Sequence, residues 1–143
     1  MASHQGARKM RINMNVFLFV LATIFSATTG EAASPALATQ SNSAAGVTVK
    51  ITPRTLTGAI WTFDIAFDTH SQELKDDLEK AAVLVADGGA PQAPAKWQGA
   101  PPGGHHRSGT LQFKAVSPMP AAIELLITRQ GEPNPRSFKW QLK

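Results

Sequence analysis

The sequence predicts an all-β fold, an antiparallel β-sandwich of about seven strands with immunoglobulin-like dimensions. Several segments alternate apolar and polar residues, which is the pattern of strands with one buried face. Glycine, proline and other turn residues separate these segments at short intervals. Short strands at such spacing are typical of a sandwich. The chain has 143 residues and no cysteine, so we expect a single domain that is held together by its core without disulfides.

The strands follow one another through residues 46–143, the predicted domain. The clearest is 59–68, whose apolar face includes aromatic residues that belong in a core. Proline should end the first strand at Pro53 and make any strand in 90–96 irregular or an edge. The predicted strands are 47–52, 59–68, 81–86, 110–115, 123–127 and 137–142, with the irregular 90–96 as the seventh.

Residues 71–80 connect two of these strands and are polar except for two leucines. Leu74 and Leu78 are four residues apart, the spacing of one helical face, and Ser71 is placed to cap a short helix. We expect a loop with one or two helical turns that crosses from one sheet to the other and is anchored by the leucines.

The N-terminus has the three parts of a secretory signal peptide. Basic residues precede an apolar run at 12–25, which is shorter than the roughly 20 residues of a membrane span, and small residues follow. We predict a signal peptide at 1–32, cleaved after Ala32, and a flexible tail at 33–45. Cleavage near 36–38 and an uncleaved N-terminal anchor are the alternatives. The protein is then exported, to the periplasm or the medium, with no stable membrane span after cleavage.

The charge of the chain does not indicate nucleic acid binding. The formal net charge is +4, but three basic residues and one acidic residue lie in 1–32, so the remainder carries +2. No basic stripe with interleaved aromatic residues is visible. We expect no nucleic acid partner.

Two polar segments could carry chemistry. One is 103–109, which reads GGHHRSG, and the other contains Asp68 and His70. If they meet at one end of the sandwich, a carboxylate and imidazoles converge, a donor set that suits Cu(II) or Zn(II). The glycines at 103, 104 and 109 would allow the backbone angles that aim the histidines. The predicted ligands are Asp68, His70, His105 and His106.

The alternative is that these segments form a hydrogen-bonded lock without a metal. Histidine, aspartate and Arg107 can all bond to loop backbone, and adjacent histidines in extended chain point to opposite sides. Ser108 lies beside His106, but a serine next to a histidine in sequence is not a catalytic triad. We therefore expect a binding module and not an enzyme.

The two polar segments, with the spacing of the leucines, Trp97 and the closing FKWQL, resemble a group of small exported bacterial and archaeal domains of unassigned function. The resemblance covers about residues 47–142. It implies export and a shared fold, and it supplies no catalytic residues. The sequence thus predicts an exported sandwich that binds copper or zinc, or else a structural or protein-interaction module whose protein partner is unknown.

Overall fold

The structure, a computed structural model, describes residues 37–143, which form two antiparallel sheets with one shared core. The strands are β1 (Gln40–Ala44), β2 (Val47–Thr55), β3 (Ile60–Thr69), β4 (Ala82–Ala86), β5 (Lys96–Gly99), β6 (His106–Lys114), β7 (Ala122–Ile127) and β8 (Arg136–Gln141). One sheet has the order β1-β2-β3-β6-β5 and the other β4-β7-β8. The predicted antiparallel β-sandwich is confirmed, with eight strands in this part of the chain.

The core lies between the sheets and is built from the inward faces of the alternating strands. Phe63 on β3 meets the edge of Phe113 on β6, with ring centroids 5.7 Å apart. It also contacts Trp140 on β8, at 6.0 Å, so the aromatic residues join the two sheets. Burial of a side chain of this size contributes about 1.5–3 kcal/mol.

The segment 71–80 crosses from the first sheet to the second, as predicted. Leu74 and Leu78 are fully buried and anchor it. The single helical turn α1 spans Leu78–Ala81, and its N-cap is Asp77, whose side chain accepts a hydrogen bond from the N–H of Glu79. The expected cap at Ser71 was wrong because the helical turn begins seven residues later, beside the carboxylate that satisfies it.

Part of the predicted flexible tail is ordered as β1. Gln40–Ala44 pairs with β2, although its small polar residues show no hydrophobic periodicity. The amide of Gln40 also bonds both the C=O and the N–H of Lys139 on β8, and Trp140 Nε1 donates to the carbonyl of Ala38 at 2.8 Å. Backbone pairing and side-chain hydrogen bonds therefore hold this segment. The predicted signal peptide and residues 33–36 lie outside the described residues.

Three other predicted strand positions were wrong. The strand expected at 90–96 is instead the edge strand β5, Lys96–Gly99. β2 continues through Pro53 to Thr55. β1 pairs with β2 only as far as Ile51, so at the proline one side of β2 is a sheet edge, where a missing N–H is tolerated. β6 begins at His106, four residues before the predicted start, because the buried position 107 is an arginine that hides the alternation.

No helix within residues 37–143 combines the length and the apolar character that crossing a membrane requires.

Candidate functional site

The two polar segments lie side by side at one end of the sandwich. Asp68, near the end of β3, is directly opposite His106, the first residue of β6. The next pair is joined through the backbone, since the N–H of Thr69 donates to the carbonyl of His105 at 2.9 Å. The end of β3 and the start of β6 therefore bring together Asp68 and His106, which are 38 residues apart in the sequence.

A glycine turn continues this contact into the crossing segment. The N–H of Leu74 donates to the carbonyl of Gly104 at 3.0 Å, and the N–H of Gly103 donates to the carbonyl of Leu74 at 2.7 Å. Both glycines have positive φ, 122° and 74°, which other residues rarely adopt. The turn thus fixes the start of β6 on the buried leucine.

Asp68 and His106 form a hydrogen-bonded pair on the outer face of the five-stranded sheet. Asp68 Oδ1 and His106 Nδ1 are 2.7 Å apart, with the side chains 42% and 69% exposed. Because the carboxylate engages Nδ1, Nε2 is the ring nitrogen left for a ligand. The ring of His70 lies beside the ring of His106. The two ring centroids are 6.3 Å apart, and the ring planes meet at 81°. This histidine pair is exposed to solvent.

The distance between the two rings is close to the distance between two imidazoles that bind the same metal ion. Two imidazoles bound tetrahedrally to one zinc ion, with Zn–N distances of about 2.0 Å, have ring centres roughly 5 Å apart. The observed ring centroids are farther apart, at 6.3 Å, and the His70 side chain is exposed. Within residues 37–143, however, no group of three or more His, Cys, Asp or Glu side chains is already arranged to hold a metal ion.

His105 lies near Glu73 of the crossing segment. The pKa of the Glu73 carboxyl lies below its ordinary value, chiefly because Lys75 donates a hydrogen bond to it, with a smaller contribution from the nearby His105. The His105 side chain is exposed, while its carbonyl is committed to Thr69. The structure thus brings Asp68 and His70 to His106, and it associates His105 with the crossing segment.

Arg107, which stands between His106 and Ser108 in the sequence, is a structural residue of the interior. It is 3% exposed, its Nε donates to the carbonyl of Ala100 at 3.0 Å, and an Nη donates to the carbonyl of Asp76. Its guanidinium also lies over the ring of Trp97, at 5.4 Å from the centroid. The lock alternative correctly anticipated an arginine bonded to loop carbonyls.

Gly109 serves close packing and not the aiming of histidines. Its φ is not positive, unlike that of Gly103 and Gly104. A Cβ at this position would lie 2.5 Å from the Cα of Gly99 and 2.8 Å from the indole of Trp97. The expectation for this glycine was therefore wrong, because the indole packs where a side chain would stand.

A buried ionic cluster of Asp76, Arg129, Glu132 and Arg136 fills the interior at the same end of the sandwich. Arg129 Nε donates to Asp76 Oδ2 at 3.1 Å, and one Nη donates to Glu132 Oε1 at 2.9 Å. Arg136 donates to both oxygens of Glu132, at 2.8 and 2.6 Å. The pKa of Glu132 is lowered, first of all by the hydrogen bond from Arg136.

The ionic cluster also holds the N-terminal hairpin. Arg136 donates to the carbonyls of Asn42, Ala44 and Val47 at 2.7–3.1 Å, so all five of its N–H groups are used. Sequence reasoning missed the cluster because charged residues are normally exposed. The one feature of the sequence that could have indicated the ionic cluster was the close spacing of Arg129, Glu132 and Arg136 around the turn at 130–135.

A cleft of about 460 Å³ opens next to the ionic cluster, between the crossing segment and residues 128–130. Asp76 and Arg129 lie in its wall. Lys75 and Lys80 line it as well, and each is paired with an exposed carboxylate, at 2.9 and 3.0 Å. Charged side chains of both signs therefore line the cleft, together with apolar surface such as that of Ala81.

Comparison of the chain with family models, with curated proteins and with solved structures finds no match in any of the three.

Proposed function

We propose that this protein is an exported β-sandwich binding module that takes up a divalent transition metal ion, copper or zinc, at the histidine pair. The observation that supports the proposal best is the 2.7 Å contact of Asp68 with His106 beside the ring of His70. A carboxylate that holds one imidazole nitrogen and leaves the other free is the usual support of a metal-binding histidine. Imidazole ligands without thiolate suit both metals.

The proposed site is weak and exchangeable. Two imidazoles supply fewer protein ligands than the three or four of ordinary zinc sites, so water or a ligand from a partner completes the coordination. The site lies on an exposed sheet face, which gives a partner direct access to the ion. These properties suit a carrier or sensor that passes the metal on, and they do not suit a metal that holds the fold together.

Export is the second component of the proposal and has its own test. The chain is expressed from residue 1, and the intact mass of the form found outside the cytoplasm is measured. The expected N-terminus is Ala33, after removal of 1–32. A full-length protein that stays in the cytoplasm would contradict export, whatever the metal result.

The metal site is tested by titration of zinc and copper into the chain freed of metal, followed by the imidazole signals in NMR spectra. We expect one saturable site, lost in both His70→Ala and His106→Ala. The affinity falls from pH 7.5 to pH 5.5, because protons compete for the imidazole nitrogens.

His105→Ala is the matched control, because it removes an adjacent and equally exposed histidine. It should bind like the unaltered chain. A loss as large as that in His70→Ala would show that His105 is a ligand and would replace the two-histidine arrangement by the wider predicted set. Equal binding by all variants would contradict a histidine site altogether.

A second candidate is an interaction module in which the polar segments act only as a lock. The backbone bonds of Thr69 and Leu74 to the glycine turn, together with the buried Arg107, favour it. In that case His106→Ala lowers the melting temperature, because it breaks the hydrogen bond to Asp68. The unaltered chain then shows no metal binding in the titration. Unchanged stability would argue against this candidate.

A further inference from the structure

We propose that the cleft beside the ionic cluster is a binding site for a small oxyanion, a carboxylate, sulfate or phosphate group, which is held by Arg129. This site is separate from the proposed metal site and does not depend on it. Three features support it: the charge balance of the buried groups, a free nitrogen on a fixed guanidinium, and the residues around the cleft.

The buried charges at this end of the sandwich do not cancel. Within residues 37–143, three guanidiniums are buried, those of Arg107, Arg129 and Arg136, and the carboxylates buried near them are those of Asp76 and Glu132. The exposed Asp77 also acts on Arg107. Among the buried groups the excess is one positive charge. Buried charge without compensation is costly, so an anion that reaches it gains more than it would on an open surface. Burial lowers the pKa of Arg107, against the opposing effects of Asp76 and Asp77.

Arg129 offers the hydrogen-bond donor. Its side chain is 5% exposed, and it is held by Asp76 through Nε and by Glu132 through one Nη. The second Nη makes no hydrogen bond to any group in residues 37–143. Across the same residues the one buried polar side-chain atom without a partner is Asn42 Oδ1, so this nitrogen must reach solvent. Arg129 is among the residues that line the cleft, and we take this nitrogen as the donor that it offers there.

The residues around the cleft complete a site for an anion. Lys75 and Lys80 stand at its rim in exposed pairs with Glu73 and Asp77, and such pairs are weak enough to exchange partners. Gln130 adds an amide next to Arg129. The rim is neutral as a whole, so the attraction comes from the excess charge beneath it. A guanidinium held by two carboxylates cannot move away, which makes the site preorganised.

The test uses the chain expressed from residue 1, with chelator present to exclude the metal site. Sulfate, phosphate and acetate are each titrated at constant ionic strength against chloride. The side-chain Nε–Hε signals of the arginines are followed by NMR. We expect a saturable shift of the Arg129 signal with at least one of the three anions, and the order of their affinities identifies a planar or a tetrahedral ligand.

Two rim variants test the location without touching the ionic cluster. Lys75→Gln/Lys80→Gln should weaken binding roughly threefold, as expected for exposed charges. Gln130→Glu should weaken it roughly tenfold, because it places a carboxylate beside Arg129. Lys50→Gln/Lys114→Gln removes the same charge elsewhere on the surface and should bind normally. Linear shifts that never saturate, or equal losses in the control, would overturn the proposal.

Discussion

Asp68 Oδ1 lies 2.7 Å from His106 Nδ1, across neighbouring strands and on the solvent side of the sheet. The two residues are directly opposite in the β3–β6 register, so the strands themselves set the distance between them. The hydrogen bond holds the imidazole in one orientation and presents Nε2 outward. A rigid sheet therefore positions the proposed metal ligand more firmly than a loop would.

Loss of Asp68 should weaken metal binding without removing it. Carboxylates that orient a metal-binding histidine typically contribute 10- to 100-fold in affinity, so we expect Asp68→Ala to weaken zinc binding by about tenfold or more. Asp64→Ala is the control, because it removes a carboxylate from the same face of the same strand, four residues away. The zinc affinities of both variants are measured by isothermal titration calorimetry. Equal affinities of Asp68→Ala and Asp64→Ala would contradict the orienting role of Asp68.

Glu132 should be essential to the ionic cluster. Glu132→Gln leaves Arg129 and Arg136 without their shared carboxylate, and removal of one partner from a buried pair costs about 3–5 kcal/mol. Glu124→Gln makes the same change on the outer face of the second sheet and should cost less than about 0.5 kcal/mol. Urea unfolding measures both free energies. A small effect at residue 132 would show that water or another group replaces the carboxylate.

The same carboxylate predicts a loss of stability in acid. The pKa of Glu132 is lowered in the folded state, so its contribution is fully present above the ordinary glutamate value of about 4.3. It is lost progressively as the pH falls below that value and through the folded-state pKa. Unfolding free energies between pH 6 and pH 2.5 should show a steeper fall in the unaltered chain than in Glu132→Gln. Parallel curves would contradict this linkage.

Gly109 should not tolerate a side chain. Gly109→Ala forces a methyl group against the backbone of Gly99 and the indole of Trp97, and overpacking of this kind costs about 1–3 kcal/mol. The adjacent Ser108→Ala, on the exposed face, should leave the melting temperature nearly unchanged. Thermal unfolding followed by the near-ultraviolet signal of tryptophan tests both. Full stability of the glycine variant would mean that the contact is looser than the structure indicates.

A substitution in the turn between β1 and β2 should make the protein more stable. Ala45 has φ of 46°, a conformation that alanine disfavours, and it precedes Gly46 with φ of 75°. Asn-Gly is the preferred pair for such a two-residue turn, so Ala45→Asn should stabilise the protein by about 0.5–1 kcal/mol. Ala44→Asn, one position earlier in β1, should show no such gain. A loss of stability in Ala45→Asn would contradict the turn geometry.

Much of the fold could be predicted because burial leaves a period of two in the sequence. The strand 59–68 and the anchoring leucines of the crossing segment were identified in this way. β1 and the start of β6 were not, because one is held by backbone pairing and by Gln40 and the other has Arg107 on its buried face. Neither kind of stabilisation produces a hydrophobic pattern.

For the candidate site, the sequence determined the residue types and the strands that carry them. The tertiary structure alone decided that Asp68 binds His106, that His70 lies beside this pair, and that the His105 carbonyl bonds to Thr69. It also decided that three arginines are buried together with two carboxylates. The physical reason is that strand register and the pairing of buried charges depend on contacts between residues far apart in the chain, and local sequence carries no record of those contacts.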